Sequence, residues 1–235
     1  MSITLAEDDQ FIDIRSLRLI GVHGHAGVGK DTAVDYLNEK YVAVYGESFA
    51  APLKRCAAEA FGIPLEHFND RELKEAPNGY WGVSPRKIAQ FVGTELFRDR
   101  AHALLGAYFD TFWITRLVGR LIGELPPPEG EGYYEIGDTI CVSDVRFQNE
   151  ADWIYSNGGW ILHIIRPTFE GAVGIPGHSS EAGLTLPDNE NTWLIHNDST
   201  LEVFHQALDS FAQHIGLVPK AAVAEVQETN DPFPL

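Results

Sequence analysis

The stretch from Leu17 to Tyr41 constrains this sequence more tightly than any other. Leu17 to Val22 (LRLIGV) is a nearly unbroken apolar run, followed after His23 by Gly24-His25-Ala26-Gly27-Val28-Gly29-Lys30-Asp31-Thr32. Beyond the glycines, Ala33, Tyr36, Leu37 and Tyr41 stand at i, i+3, i+4 and i+8, one face of a helix. A buried strand, a glycine-rich bend and an amphipathic helix in that order make a cradle for phosphate oxygens. The glycines let successive N–H groups turn inward, the helix adds its positive end, and a lysine on the first turn supplies a full charge.

The remaining pattern alternates in the same way. Apolar runs at Glu47–Ala50, Thr139–Val145, Trp160–Ile165 and Thr192–His196 read as strands. Between and after them, helices are expected from about Pro52 to Phe61 with Gly62 as stop, and from Ser84-Pro85 with Ile88, Phe91, Val92 and Leu96 inward. Others are expected over 103–122, through Trp153 and Ile154, and after a Ser199-x-x-Glu202 capping box with Leu201, Phe204, Leu208, Phe211 and Ile215 inward. This predicts an α/β protein: the three-layer P-loop NTPase fold with a central parallel sheet, a helical acceptor-binding insertion and a flap. The domain is expected to span residues 17–216, with the insertion at about 52–123 and a lid-like loop at about 167–191. Residues 1–16 form an acidic extension and 217–235 a loosely held tail.

Composition narrows the partners. A net charge of −17 argues against a nucleic-acid-binding module, which presents a basic face to phosphates. Residues 54–100 nevertheless carry eight of the 17 Lys and Arg against seven acids, which is either a local basic island suited to a small anionic ligand or a plain solvated charged face. No apolar run reaches the ~20 residues of a membrane span, and the acidic N-terminus is unlike a signal peptide, so a cytoplasmic protein is expected. The two cysteines, Cys56 and Cys141, read as reduced core thiols. A homodimer stays open.

Within the cradle, Gly24, Gly27, Val28, Gly29, Lys30, Asp31 and Thr32 are assigned to a bound nucleotide, with Lys30 on its β- and γ-phosphates. Asp31 stands where the pattern expects Ser or Thr. It is either a Mg²⁺ ligand, direct or through water, or a helix-start acid favoured by the dipole. Thr32 is placed to reach a phosphate. Asp144, ending the TICVSDV strand, is either a second metal residue at the carboxyl end of the sheet or a plain turn residue. No Asn-Lys-x-Asp motif occurs, which argues against a GTPase switch. On the helix opened by Ser84, Arg86, Gln90 and Thr94 recur every four residues as a polar stripe, extended by Glu95 and Arg98. Gly93 beside them leaves room for a flat ring, and Arg86 offers a fork for a phosphate.

The segments GHAGVGKDT (24–32), SFAAPLK (48–54), SPRKIAQFVGTELFR (84–98), SDVRFQNEA (143–151), IIRP (164–167), HSSE (178–181) and IHND (195–198) together resemble the deoxynucleoside monophosphate kinases of tailed bacteriophages. The likeness runs over roughly residues 17–215, and SPR…Q…GTE…R is its most specific part. Aspartate after the lysine is itself a trait of that family, whereas Ala51 stands where the family often has an acid. The resemblance implies ATP as donor, Mg²⁺ as cofactor and a deoxynucleoside monophosphate as acceptor, with Arg86, Gln90, Thr94 and Glu95 facing the acceptor. Arg146 and Arg166 are expected either to neutralise the transferring group or to form structural salt bridges, and His178 and Glu181 to reach substrate from the flap. Rival readings are a P-loop kinase of another small metabolite, of the dephospho-coenzyme A or phosphomevalonate type, and an ATP-gated binding switch without kinase activity.

Overall fold

The computed structural model describes residues 12–100, 111–167 and 183–223. Five strands form one parallel sheet: β1 (Arg18–His23), β2 (Val44–Glu47), β3 (Thr139–Val142), β4 (Trp160–Ile165) and β5 (Thr192–His196), in the order β2-β3-β1-β4-β5. The expected fold class is the one observed. β3 is buried along its whole length and β1 at its four central residues, as strands covered on both faces must be.

Helix α1 (Lys30–Lys40) and the C-terminal helix α7 (Leu201–His214) cover one face, packing Ala33, Leu37, Phe204, Leu208 and Phe211 onto Ile20, Val22 and Ile164. Helices α5 (Phe112–Leu121) and α6 (Gln148–Ser156) cover the other face, over Leu19, Ile140 and Ile161. Between β2 and α5 the chain adds α2 (Ala50–Phe61), the short α3 (Glu66–Asn69) and α4 (Pro85–Gln90). These share a small core of their own, built on Ala57, Ile63, Phe68, Ile88 and Val92.

The chain leaves β1 toward one edge of the sheet and β4 toward the other, although β1 and β4 are neighbours. Ligands of open α/β sheets gather at such a switch point, outside the carboxyl ends of the strands. Register aligns those ends, pairing Gly21 with Val142 and His23 with His163.

Several local expectations shift. The second strand ends at Glu47, and Ser48–Ala50, read as strand, instead lead into α2. Gly62 ends α2 in the left-handed region as expected. Ser84 caps α4, but α4 continues as a π-helix over Phe91–Arg98, with Asp99 N–H bonded to Thr94 O five residues back. The wider turn carries Val92 and Phe97 inward and leaves Phe91 and Leu96 exposed. Thr200, not Ser199, caps α7, and Leu201 is exposed because a first-turn side chain leans past the helix start. Cys141 is buried and Cys56 exposed. The expected helix over 103–122 is seen from Phe112, its earlier part lying outside the described residues. The segment after α7 is docked at its start: Leu217 is buried, Val218 O accepts from Val42 N–H, and Lys220 Nζ donates to Asn38 O.

Candidate active site

The loop between β1 and α1 needs its glycines for stated reasons. Gly24 has φ +149° and a Cβ there would collide with Ile164 O; Gly29 has φ +103° and its Cβ would stand 2.7 Å from Asn197 Nδ2. Asn197 in turn donates from Nδ2 to Val28 O at 2.8 Å, so the end of β5 braces the loop. Val28 is buried in the core beneath. Lys30 Nζ donates to Gly24 O at 2.7 Å and to His25 O at 2.8 Å, which holds the ammonium over the loop that precedes it. Asp31 and Thr32 are exposed on the first turn of α1.

His23 ends β1 beside this loop. Its Nδ1 donates to Val145 O at 2.9 Å, and burial outweighs that bond to lower its pKa to about 4, with His163, Lys30 and His25 adding to the effect. The ring is therefore neutral near pH 7. A cavity joins His23, Gly24, Lys30, Val145, Arg146 and Gly183.

Asp144 follows β3. One carboxylate oxygen accepts from Phe49 N–H and the other from Ser48 Oγ and Ala50 N–H, all at 2.8 Å. It thus satisfies the first donors of α2 from across the sheet.

The larger cavity beside α2 gathers the polar stripe. Arg86, Gln90, Thr94 and Arg98 line it together with Lys54, Lys74, Asp144, Arg146 and apolar walls from Leu53, Trp113 and Phe147. Arg86 Nε donates to Glu75 Oε1 at 2.6 Å. Both amide atoms of Gln90 are buried with no hydrogen-bond partner among the described residues. Trp113 Nε1 donates to Gly93 O at 2.9 Å, and the space that Gly93 leaves is filled by Leu53, whose Cδ2 would lie 2.9 Å from an added Cβ. The room at Gly93 therefore serves helix packing as well as the cavity wall.

Lys54 sits in the middle of this charge. Burial lowers its pKa, Asp144 and Asp31 raise it, and Arg146 and Arg86 lower it again. Lys74 is lowered by burial and then by Arg86 and Lys54. Three crowded cations make the cavity attractive to an anion.

Arg98 is anchored. Its Nη2 donates to Glu150 Oε1 at 2.7 Å and its guanidinium stacks 3.6 Å from the Phe147 ring centroid. Glu150 Oε2 accepts from Arg146 N–H at 2.9 Å and Phe147 N–H at 3.1 Å. Burial pushes the Glu150 carboxyl up to about 7, against the pull of these N–H groups and Arg98. The pair holds the turn carrying Arg146, and Arg146 lines both the loop cavity and the larger cavity.

No protein-family model matches the chain. A protein of Acanthamoeba polyphaga mimivirus that bears the name deoxynucleotide monophosphate kinase is 33% identical over 199 residues, 81% of this chain and 94% of the relative. The chain belongs to the deoxynucleoside monophosphate kinase family. A second relative, the deoxynucleoside-5'-monophosphate kinase of Escherichia phage T5, is 24% identical over 193 residues, 57% of this chain and 70% of the relative.

Of the residues expected to serve such a kinase, Arg86, Gln90, Thr94, Arg98, Asp144 and Arg146 meet in one cavity, next to the glycine loop of Lys30. Glu95 is exposed and outside that cavity, because the residue next to Thr94 points to a different side of the helix. Arg166 is exposed just past β4. His178 and Glu181 lie outside the described residues. Four site residues were not singled out from the sequence: Lys54, Lys74, Glu150 and Asn197. Lys54, Glu150 and Asn197 stand within the matching segments SFAAPLK, SDVRFQNEA and IHND, which was the signal available.

Proposed function

We propose that this kinase transfers the γ-phosphoryl group of ATP to a deoxynucleoside 5'-monophosphate, giving ADP and the deoxynucleoside diphosphate. Family membership supports the reaction class. The observation that carries the assignment is Arg146, common to the walls of the loop cavity and the larger cavity, so that one guanidinium serves a donor in the first and an acceptor in the second.

On this reading the backbone N–H groups of Gly27, Val28 and Gly29 and the Lys30 ammonium hold the ATP phosphates, with Thr32 nearby on α1. Arg86 and Lys74 take the acceptor phosphate, and the unpaired Gln90 amide reads the base edge. An acceptor phosphate oxygen attacks the γ-phosphorus. A P–O bond forms there, the bond to the β,γ-bridging oxygen breaks, and its electron pair leaves with ADP. The attacking oxygen is already anionic, so the chain supplies positioning and charge neutralisation rather than a strong base. Arg146 neutralises the equatorial oxygens and Lys54 adds charge beside them, with Arg166, exposed past β4, as a further cation for that role.

The residues fit Mg²⁺. That ion keeps several waters and needs only one or two carboxylates besides phosphate oxygens. Asp31 is exposed on the first turn after the loop, and Asp144 keeps a lone-pair direction beyond its three hydrogen bonds. Bound there, Mg²⁺ would offset the charge of the β- and γ-phosphates.

The test is ADP release from Mg-ATP with each deoxy- and ribonucleoside monophosphate, products being separated by chromatography. A diphosphate formed from at least one deoxynucleotide is expected. Turnover only with a non-nucleotide acceptor, such as a dephospho-coenzyme A type of substrate, would overturn the substrate assignment. ADP release without any phosphorylated acceptor would point to a nucleotide-gated switch.

A further inference from the structure

α2 is a wall with two sides. Ala50, Leu53 and Lys54 face the acceptor cavity, whereas Ala51, Pro52 and Arg55 face a second one, closed on its far side by Arg116, Leu117 and Arg120 of α5. Phe49 and Trp113 line both. The reaction derived above uses nothing in this second cavity except Asp31 at its α1 wall.

Its arginines are only partly satisfied among the described residues. Arg120 is 3% exposed and stacks 4.5 Å from the Tyr134 ring centroid. Nη2 donates to Gly132 O at 2.9 Å and to Glu131 at 3.4 Å, but Nε stands 3.6 Å from Glu47, and neither Nε nor Nη1 has a hydrogen-bond partner among the described residues. Arg116 is half-buried and hydrogen-bonds to nothing among the described residues. Burial and the neighbouring Arg55 work against its charge, Glu47 works for it, and Arg120 works against it. A guanidinium stays charged in a protein, so these groups cannot relieve the strain by losing a proton. The nearby acids offset this charge in part: Glu47 accepts from Tyr134 Oη at 2.6 Å and stands 3.6 Å from Arg120 Nε, and Glu131 reaches Arg120 from an exposed position. Asp31 and Asp35 belong to the α1 wall.

We propose that this cavity is a second anion site, in which Arg55, Arg116 and Arg120 grip a phosphate-type oxyanion separately from both the glycine loop and the acceptor cavity. The planar fork of a guanidinium matches two oxygens of one phosphate, and a buried fork with unsatisfied N–H groups is a donor set such an anion completes. The ligand class is inorganic phosphate, pyrophosphate or a phosphate ester. Because α2 separates the cavities, an anion gripping Arg55 acts on the helix that presents Leu53 and Lys54 to the acceptor, and its occupancy shifts the KM of the monophosphate.

The site is tested by pyrophosphate titration in a calorimeter, using the full chain with Lys30→Met and Arg86→Ala to disable the other two phosphate positions. Retained binding in that background is expected, and adding Arg116→Gln should weaken it by about tenfold, the loss of one charge-assisted contact. Arg55→Gln, on an exposed turn, should act in the same direction without touching the core. Loss of all pyrophosphate binding in the double variant would overturn the proposal, since the anion would then belong to the known cavities. So would affinity unchanged by both Arg116→Gln and Arg55→Gln, provided the melting temperatures match.

Discussion

Gln90 puts two polar atoms into a buried wall with no partner among the described residues, an arrangement that costs the protein stability unless a ligand answers it. Gln90→Leu should therefore raise the melting temperature, worth about 1 kcal/mol, while raising the KM of the acceptor severalfold. Thermal unfolding beside steady-state kinetics checks both; a destabilised variant with normal KM would remove Gln90 from recognition. Lys30→Met should lower kcat by about 100-fold or more, because its charge acts on the transferring group, with folding left intact. The titration of His23 makes a signed prediction. Its folded pKa, about 4, lies below the ordinary 6.5, so the unfolded chain takes the proton first as pH falls. Above about pH 6.5 the group contributes no pH dependence; from there down to about 4, stability declines. Unfolding free energies measured across that window should fall less steeply in His23→Gln, whose amide can keep the donor to Val145 O. Equal slopes would contradict the assignment.

The elements around the site are joined by contacts far apart in sequence, and this is where reading from the chain alone stops. Ser48 to Ala50 look like a strand by composition, yet Asp144, more than ninety residues away, takes their donors and starts α2 there. Asp144→Ala should therefore fray the start of α2, costing about 1–3 kcal/mol, and also raise the acceptor KM. Hydrogen exchange at Phe49 and Ala50 would report the fraying, and unchanged protection would leave Asp144 with a purely chemical role. The polar stripe of Arg86, Gln90 and Thr94 was legible from its spacing, and all three line the cavity even though the helix becomes π-helical after Gln90. Glu95 stands outside the cavity, and Phe91 and Leu96 are exposed where an inward face was expected, because a π-helical segment breaks the 3.6-residue period of that face and nothing local announces it. Lys54, Glu150 and Asn197 could be seen in matching segments, but their parts depend on burial, on Arg98 and on the Val28 carbonyl.

At the scale of the whole molecule, alternating apolar strands and amphipathic helices were enough to fix the class of fold. The order β2-β3-β1-β4-β5 adds what alternation cannot, the switch point between β1 and β4 that sets the glycine loop at the sheet's carboxyl edge. The net charge of −17 also finds its place, since the cations Lys54, Lys74, Arg86 and Arg146 are drawn into one cavity of an otherwise acidic protein. None of the helices among the described residues is long and apolar enough to cross a membrane. The central claim is phosphoryl transfer between the two adjoining cavities. Its most direct measurement follows label from γ-phosphate-labelled ATP in the presence of a deoxynucleoside monophosphate. Label recovered as the β-phosphate of the deoxynucleoside diphosphate, and strongly reduced by Arg146→Ala, is the predicted result. Label recovered only as inorganic phosphate would contradict it.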